Sequence, residues 1–291
     1  MQGKSGVDTH SLGLPDSYVP RQYCPVWKEA HPGWRERLHK VLSGCASSSF
    51  PPVFFRADDV GAGGRAFEAL CTLFRHHGVP LGMAVVPAWL SSARQDQLFQ
   101  AAPPGEPIWG WHQHGWRHVN WQKVGKKSEF GDNRPFEKQF RDILQGRQKM
   151  EGLFGEFFVP VFTPPWNRLS HSTLKIVQTL GYGGVSMAGP LPRGIKPQLT
   201  LCNLRMQLDL HTRKKREGLS DFSSILHEIG SICGKREPFG IMIHHQRMTL
   251  FAFEFLDELL YNLTTRIRAR FLSFGEIVSS CNGEQAGSSV C

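Results

Sequence analysis

The sequence predicts an α/β protein folded as an irregular (β/α) barrel of seven or eight strands. From residue 51 onward, short apolar segments rich in aromatic and branched residues alternate with amphipathic helical segments. About eight such steps fit into roughly 230 residues, the size of one barrel. There is no internal repeat or low-complexity tract that would favour another architecture.

The expected strands are PVFFRA (52–57), PLGMAVV (80–86), PIWGWH (107–112), FFVPVF (157–162), GGVSM (183–187), LRMQLDL (204–210), FGIMIH (239–244) and RFLSF (270–274). Each is short and nearly continuous in apolar residues, as a strand covered on both faces must be. Between them, 64–78 places Phe67, Leu70, Cys71 and Phe74 on one helical face and stops at Gly78 and Pro80. The segment 135–155 does the same with Phe136, Phe140, Ile143, Leu144 and Phe154, and helices starting at 170 and 249 have Ser170 and Thr249 as N-caps. Residues 1–48, rich in Pro, Gly and Ser with one short helix around Trp34–Leu42, read as an N-terminal extension. The barrel domain then spans 49–278, and 279–291 read as a disordered tail.

Composition is that of an ordinary globular protein: 40% hydrophobic, 20% charged and 11% aromatic residues, which excludes a disordered chain. The N-terminus lacks a secretory h-region and cleavage site, and no apolar run spans a bilayer, so a cytoplasmic protein without a transmembrane segment is expected. Peripheral association with the inner membrane face stays open. Seven scattered cysteines with no CxxC pair fit a reducing compartment, with Cys71 and Cys233 as small buried hydrophobes. The net charge of +9 is concentrated at 125–127, 212–216 and 266–270, none within a nucleic-acid-binding motif, so nucleic acid is not an expected partner.

In such a barrel, reactive side chains sit at the C-terminal ends of strands. Four segments carry unusual polar residues there: FFRADDVG, WHQHGWRH, VFTPPWNR and IMIHHQR. Adjacent carboxylates at Asp58 and Asp59 repel unless a cation intervenes, which suggests one metal ligand and one base. His114 and His118, four residues apart, have the spacing of many zinc sites, and His112 is a third candidate. One Asp and two His leave positions open for water and substrate, as a catalytic site for one divalent ion requires, with zinc first among the candidates.

Together the four segments resemble the polysaccharide deacetylases, carbohydrate esterase family four, the NodB-homology domain. RADDVG stands at the family's TFDDG motif, HGWRH at H[ST]xxH, TPPW at the RxPY-like third motif and IMIH at the strand ending in LxH. The resemblance covers residues 51 to about 275 and implies a NodB-like barrel. It implies Asp58 as catalytic base, Asp59, His114 and His118 as metal ligands, His244 as general acid and Trp166 as a backbone donor to the oxyanion. Asp209 looks like the carboxylate that orients the catalytic histidine, with His211 as a competitor.

The resemblance further implies a hydrolase that removes an N-acetyl, O-acetyl or N-acyl group from a carbohydrate. Two departures stand out: Gly115 replaces the second motif's Ser/Thr, and Thr163 stands where the third motif's arginine pairs with the base. Arg56 and Arg168 are the candidate substitutes. Trp116, Trp121, Thr163, Arg168 and His245 are the expected substrate-binding residues, and the basic clusters after site-bearing strands suggest an anionic acetylated carbohydrate. Two alternatives remain: an amidohydrolase acting on a small non-sugar amide, and a carbohydrate-binding barrel with impaired turnover.

Overall fold

The computed structural model describes residues 12–45, 50–192, 201–213 and 218–286. Seven strands close a parallel barrel in chain order: β1 (Val53–Val60), β2 (Leu81–Val85), β3 (Trp109–His114), β4 (Phe158–Thr163), β5 (Gly184–Met187), β6 (Cys202–Asp209) and β7 (Phe239–Ile243). The helices are α1 (Trp34–Cys45), α2 (Arg65–His77), α3 (Ser92–Ala101), α4 (Phe136–Phe154), α5 (His171–Thr179), α6 (Gly218–Gly230), α7 (Leu250–Tyr261) and α8 (Phe274–Ala286). None of the described helices is long and apolar enough to cross a membrane.

The expected eighth strand does not form. Phe271 makes a single bridge to Val53, and α8 starts three residues later. The reason is local: Ser273 Oγ accepts from the Glu276 N–H (3.2 Å) while Glu276 Oε2 accepts from the Ser273 N–H (2.7 Å). This capping box turns RFLSFGE into a helix start. The same helix runs on to Ala286, so 279–286, expected as disordered tail, is helical; residues 287–291 lie outside the described residues.

The chain divides into two compact units. One comprises Met1–Phe55, Gly63–Pro80 and Gln207–Phe271. Its helix α2 buries Phe67, Leu70, Cys71 and Phe74 and ends on Gly78 at φ +64, where the absence of a Cβ makes the left-handed C-cap easy. Within the expected N-terminal extension, Trp27, Trp34, Leu38 and Leu42 are all buried in this unit's core. Trp27 donates its indole N–H to the Leu210 carbonyl (2.6 Å), and its ring lies 5.0 Å from Phe255 and 5.5 Å from Phe251. A buried indole needs such a partner, and this one meets it at the end of β6.

The second unit comprises Arg56–Ala62, Leu81–Met206 and Leu272–Cys291. Here β2 pairs with β3 in the register Leu81↔Trp109 to Val85↔Gln113. A register shift between Trp111 and Gln113 brings His114 opposite Thr163 of β4. A Cβ on Gly82 would fall 2.5 Å from the Phe274 ring, so the glycine lets the start of α8 seat on β2. Phe130, Ile143, Phe162, Leu174, Val177, Tyr182 and Val185 form a core under α4 and α5.

Two cysteine pairs correct the reading of the thiols as scattered and reduced. Cys45 is bridged to Cys233 in the first unit (Cα–Cα 5.1 Å), and Cys202 to Cys281 in the second (6.0 Å). Sequence spacing hid them because the partners lie 188 and 79 residues apart.

Candidate metal centre

Alternation along β1 sends Arg56 and Asp58 to one face. Arg56 is fully buried, and its guanidinium makes two parallel bonds to Asp58, Nε to Oδ1 at 2.6 Å and Nη2 to Oδ2 at 2.8 Å. Two further bonds go to Ser186 Oγ (2.8 Å) and Asn167 Oδ1 (2.9 Å). A buried guanidinium is tolerated only when its donors are matched in this way. Arg56 is therefore the partner of Asp58, while Arg168 donates to the Lys127 carbonyl (2.9 Å) instead.

Just past Asp58 the backbone turns left-handed at Asp59 (φ +61). His114 ends β3, and His118 follows after a tight turn, itself at φ +57. Asp59 Oδ1 lies 3.2 Å from His114 Nε2 and 3.1 Å from His118 Nε2, and one donor atom from each residue falls within 4.8 Å of the other two. Four of the five described non-glycine residues at positive φ (Asp59, His118, Trp166, Asn167) belong to this site. Such conformations persist only where surrounding structure over-determines them, and they cluster at functional sites.

The donor set suits a divalent ion. His114 Nδ1 faces the Thr163 carbonyl at 3.0 Å, a bond that places the proton on Nδ1 and leaves the Nε2 lone pair for the centre. Burial works against charge on Asp59, but hydrogen bonds from His114 and His118 hold its carboxyl well below the usual range. Burial likewise opposes a charged His114, yet Asp59 and Asp58 carry its pKa upward. A carboxylate set against two imidazole nitrogens at this spacing forms a natural cation site. His112 is not a fourth member. It is buried, bonds to the Gly110 carbonyl (2.9 Å) and stacks on Phe274 at 4.5 Å.

The turn carrying His118 is pinned on every side. Buried Glu129 accepts the N–H groups of Trp116, Arg117 and His118; Ala88 N–H donates to the Trp116 carbonyl (3.0 Å) and Trp89 Nε1 to the Arg117 carbonyl (3.1 Å). Burial raises the Glu129 carboxyl above its ordinary value, against the opposing pull of the three amides. Rings of Trp166 (4.3 Å) and Trp89 (5.7 Å) flank His118. Glu129, Trp89, Asn167 and Ser186 are absent from the sequence-based site. The close approach at Gly61, where a Cβ would meet Trp89 at 2.7 Å, is the nearest thing to a local signal.

The expected substrate-binding residues sit in different surroundings. Thr163 is fully buried, and its carbonyl faces His114 Nδ1 and accepts the Gly115 N–H. Trp116 packs against the Phe130 and Phe162 core. Trp121 keeps 45% exposure, under the Arg134 guanidinium at 5.0 Å, so it alone of the indoles expected to bind substrate offers an open face. In the other unit, Asp209 caps its own turn, accepting from His211 N–H, Thr212 N–H and the Thr212 hydroxyl. His211 Nδ1 accepts the His244 backbone N–H at 3.2 Å, and burial drives the His211 pKa well below the ordinary value. His245 is buried, 5.4 Å from Phe67. Lys214, Lys215 and Arg216 lie outside the described residues.

The closed seven-strand parallel barrel is a fold shared with solved structures of polysaccharide deacetylases, and in this chain an Asp-His-His cluster lies at its strand ends. Solved structures of that class superpose on the chain. A protein assigned as a polysaccharide deacetylase from Mycobacterium smegmatis matches with a TM-score of 0.59 at 14% identity, over 82% of this chain and 92% of that one. A family 4 carbohydrate esterase from Bacillus anthracis matches at 0.50 and 14%, over 90% and 97%. A mutant of a family 4 pseudoenzyme, with restored enzymatic activity, matches at 0.50 and 11%, over 79% and 68%. No protein-family model and no curated protein matches the sequence. A shared barrel does not fix activity, which is argued from the site.

Proposed function

We propose that the protein is a metal-dependent hydrolase that removes an acetyl or related acyl group from a carbohydrate. The observation that carries this reading is the convergence of Asp59, His114 and His118 within 4.8 Å, beside a second carboxylate, Asp58, locked by Arg56. A divalent ion held by the three ligands would acidify water and polarise the acyl carbonyl. Asp58 takes the proton from the attacking water; its pairing with a buried guanidinium keeps it oriented for that task. Trp166, left-handed at φ +56, is the proposed backbone donor to the oxyanion, and its indole packs against His118. The proton-donor role of His244 rests on the sequence motif alone.

Arg56 also weighs against the reading as a binding barrel with impaired turnover, whose support was the missing third-motif arginine: the guanidinium is present, supplied from β1. An anionic carbohydrate is the finer reading, supported by exposed Trp121, Lys123, Lys126 and Lys127 in the loop that follows His118. The test is metal content together with acetate release from N-acetylated oligosaccharides, for wild type, Asp59→Ala, His114→Ala and Asp58→Asn. Wild type should carry one equivalent of zinc, and the first two variants should lose it. Asp58→Asn should keep the metal and lose on the order of 10²–10⁴ in turnover. Equal metal in wild type, Asp59→Ala and His114→Ala would remove the assignment. Ring opening of small cyclic amides without acetate release would transfer it to the amidohydrolase alternative.

A further inference from the structure

We infer that Glu129 is a positioning residue for the metal centre: its buried carboxylate holds the turn 115–118 in the conformation that delivers His118 to Asp59 and His114. The inference rests on the proposed metal site and deepens it. Glu129 has no exposed surface, and its two oxygens accept three consecutive backbone N–H groups, those of Trp116 (3.3 Å), Arg117 (2.8 Å) and His118 (3.1 Å). Successive amides aimed at one anion form a nest, and a carboxylate seated in it fixes the dihedrals of the chain that makes it. One of those amides belongs to the ligand His118 itself. Its φ of +57 is a conformation that a side-chain-bearing residue does not hold unaided.

The glycine at 115 follows from the same carboxylate. Gly115 sits at φ +57, and a Cβ there would lie 2.4 Å from Glu129 Oε2 and 2.6 Å from Pro165 Cγ. The side chain missing from the motif is thus excluded by the group that holds the turn. Glu129 reaches the centre only through backbone, so it neither coordinates nor touches substrate.

The experiment is zinc affinity of the full chain, by competition with a chromophoric chelator, for wild type, Glu129→Gln and Glu129→Asp. Glu129→Gln replaces one acceptor oxygen with an NH2 facing N–H donors, and its zinc dissociation constant should rise about 10–100-fold, the usual effect of losing a group that orients a ligand. Glu129→Asp, which keeps the charge but retracts it, should fall between the two. A merely structural role would lower the melting temperature and leave the affinity of folded protein unchanged, so Glu129→Gln binding within twofold of wild type overturns the inference. Absence of zinc uptake by wild type overturns the metal site itself, a distinguishable result. If Glu129→Gln does not fold, amide hydrogen exchange of metal-free wild type decides. Residues 116–118 should be strongly protected, and exchange at open-chain rates overturns the inference.

Discussion

Arg56 is the residue on which the site's electrostatics turn. Its four hydrogen bonds to Asp58, Ser186 and Asn167 tie β1 to β5 and to the turn after β4, all within one unit. Truncating one member of such a buried pair leaves the other charge uncompensated, so Arg56→Met should cost about 3–5 kcal/mol in urea-induced unfolding. Arg56→Lys keeps the charge but offers a point donor in place of a fork, and a loss of about 1–3 kcal/mol is expected from the acceptors it strands. Unfolding free energies for both variants matching those of surface substitutions would show that the guanidinium is dispensable. The sequence left Arg56 and Arg168 as equal candidates, yet alternation alone separates them: positions 56 and 58 share a strand face, whereas Arg168 lies in the turn after β4. Glu129, Asn167 and Ser186 had no comparable signal. Each reaches its partner across 11 to 130 positions of chain, and a lone Glu or Asn between strands, or a single Ser within one, carries no local mark of its partner until the fold closes.

At the scale of elements, α4 shows how a helix far from the cluster in sequence sets its geometry. Gly146 faces β3 so closely that a Cβ would lie 2.2 Å from Gln113 Nε2. That amide donates to the Gly115 carbonyl (2.9 Å) and to Ile143 (3.2 Å), joining helix and metal-bearing turn. For Gly146→Ala, helix propensity favours the variant by about 1 kcal/mol, while overpacking costs about 1–3 kcal/mol. Packing should win, because Gln113 is buried and its carbonyl already accepts from Tyr182, leaving it no room to turn aside. Net destabilisation in chemical unfolding is the expected result, and a stabilised variant would show that α4 yields freely. The helix itself was legible from apolar residues at helical spacing, but its buried face was only partly so: Ile143 and Phe154 are buried as expected, whereas Phe136 is exposed and Gln139, Gly146 and Met150 are buried in its place. The glycine's reason was not legible, because periodicity reports which face is buried and not how near the neighbour comes. The false eighth strand has a similar origin: RFLSF has strand composition, and only the reciprocal Ser273–Glu276 cap decides for helix.

For the whole molecule, two buried neutral histidines make stability fall with acid. Burial lowers the His112 pKa from 6.5 to about 3, helped by the charges of Arg56 and His114 against the Gly110 bond and Asp58. His211, in the other unit, is also driven well below its ordinary value by burial and by His244, His245 and Arg247. A group whose folded pKa is depressed binds its proton first in the unfolded chain. Its contribution is therefore complete above pH 6.5 and declines as the pH falls towards the folded value. At about 1.4 kcal/mol per pH unit, His112 alone should account for a loss of about 2–3 kcal/mol between pH 7 and 4.5. Carboxylates such as Asp59, whose pKa is lowered by its histidine partners, add nothing to the upper part of this window, because their unfolded values lie near 3.8. Glu129, whose pKa burial raises from 4.5, works against this slope, so the histidines are read from the difference between wild type and the histidine variants. Urea unfolding at half-unit intervals should show it in wild type, weakened in His112→Asn and in His211→Asn and largely removed in the double variant. If the two histidines act independently, their effects on the slope add. An acid limb unchanged in the double variant would mean that both imidazoles reach solvent on opening without unfolding, and would place the pH response elsewhere in the chain.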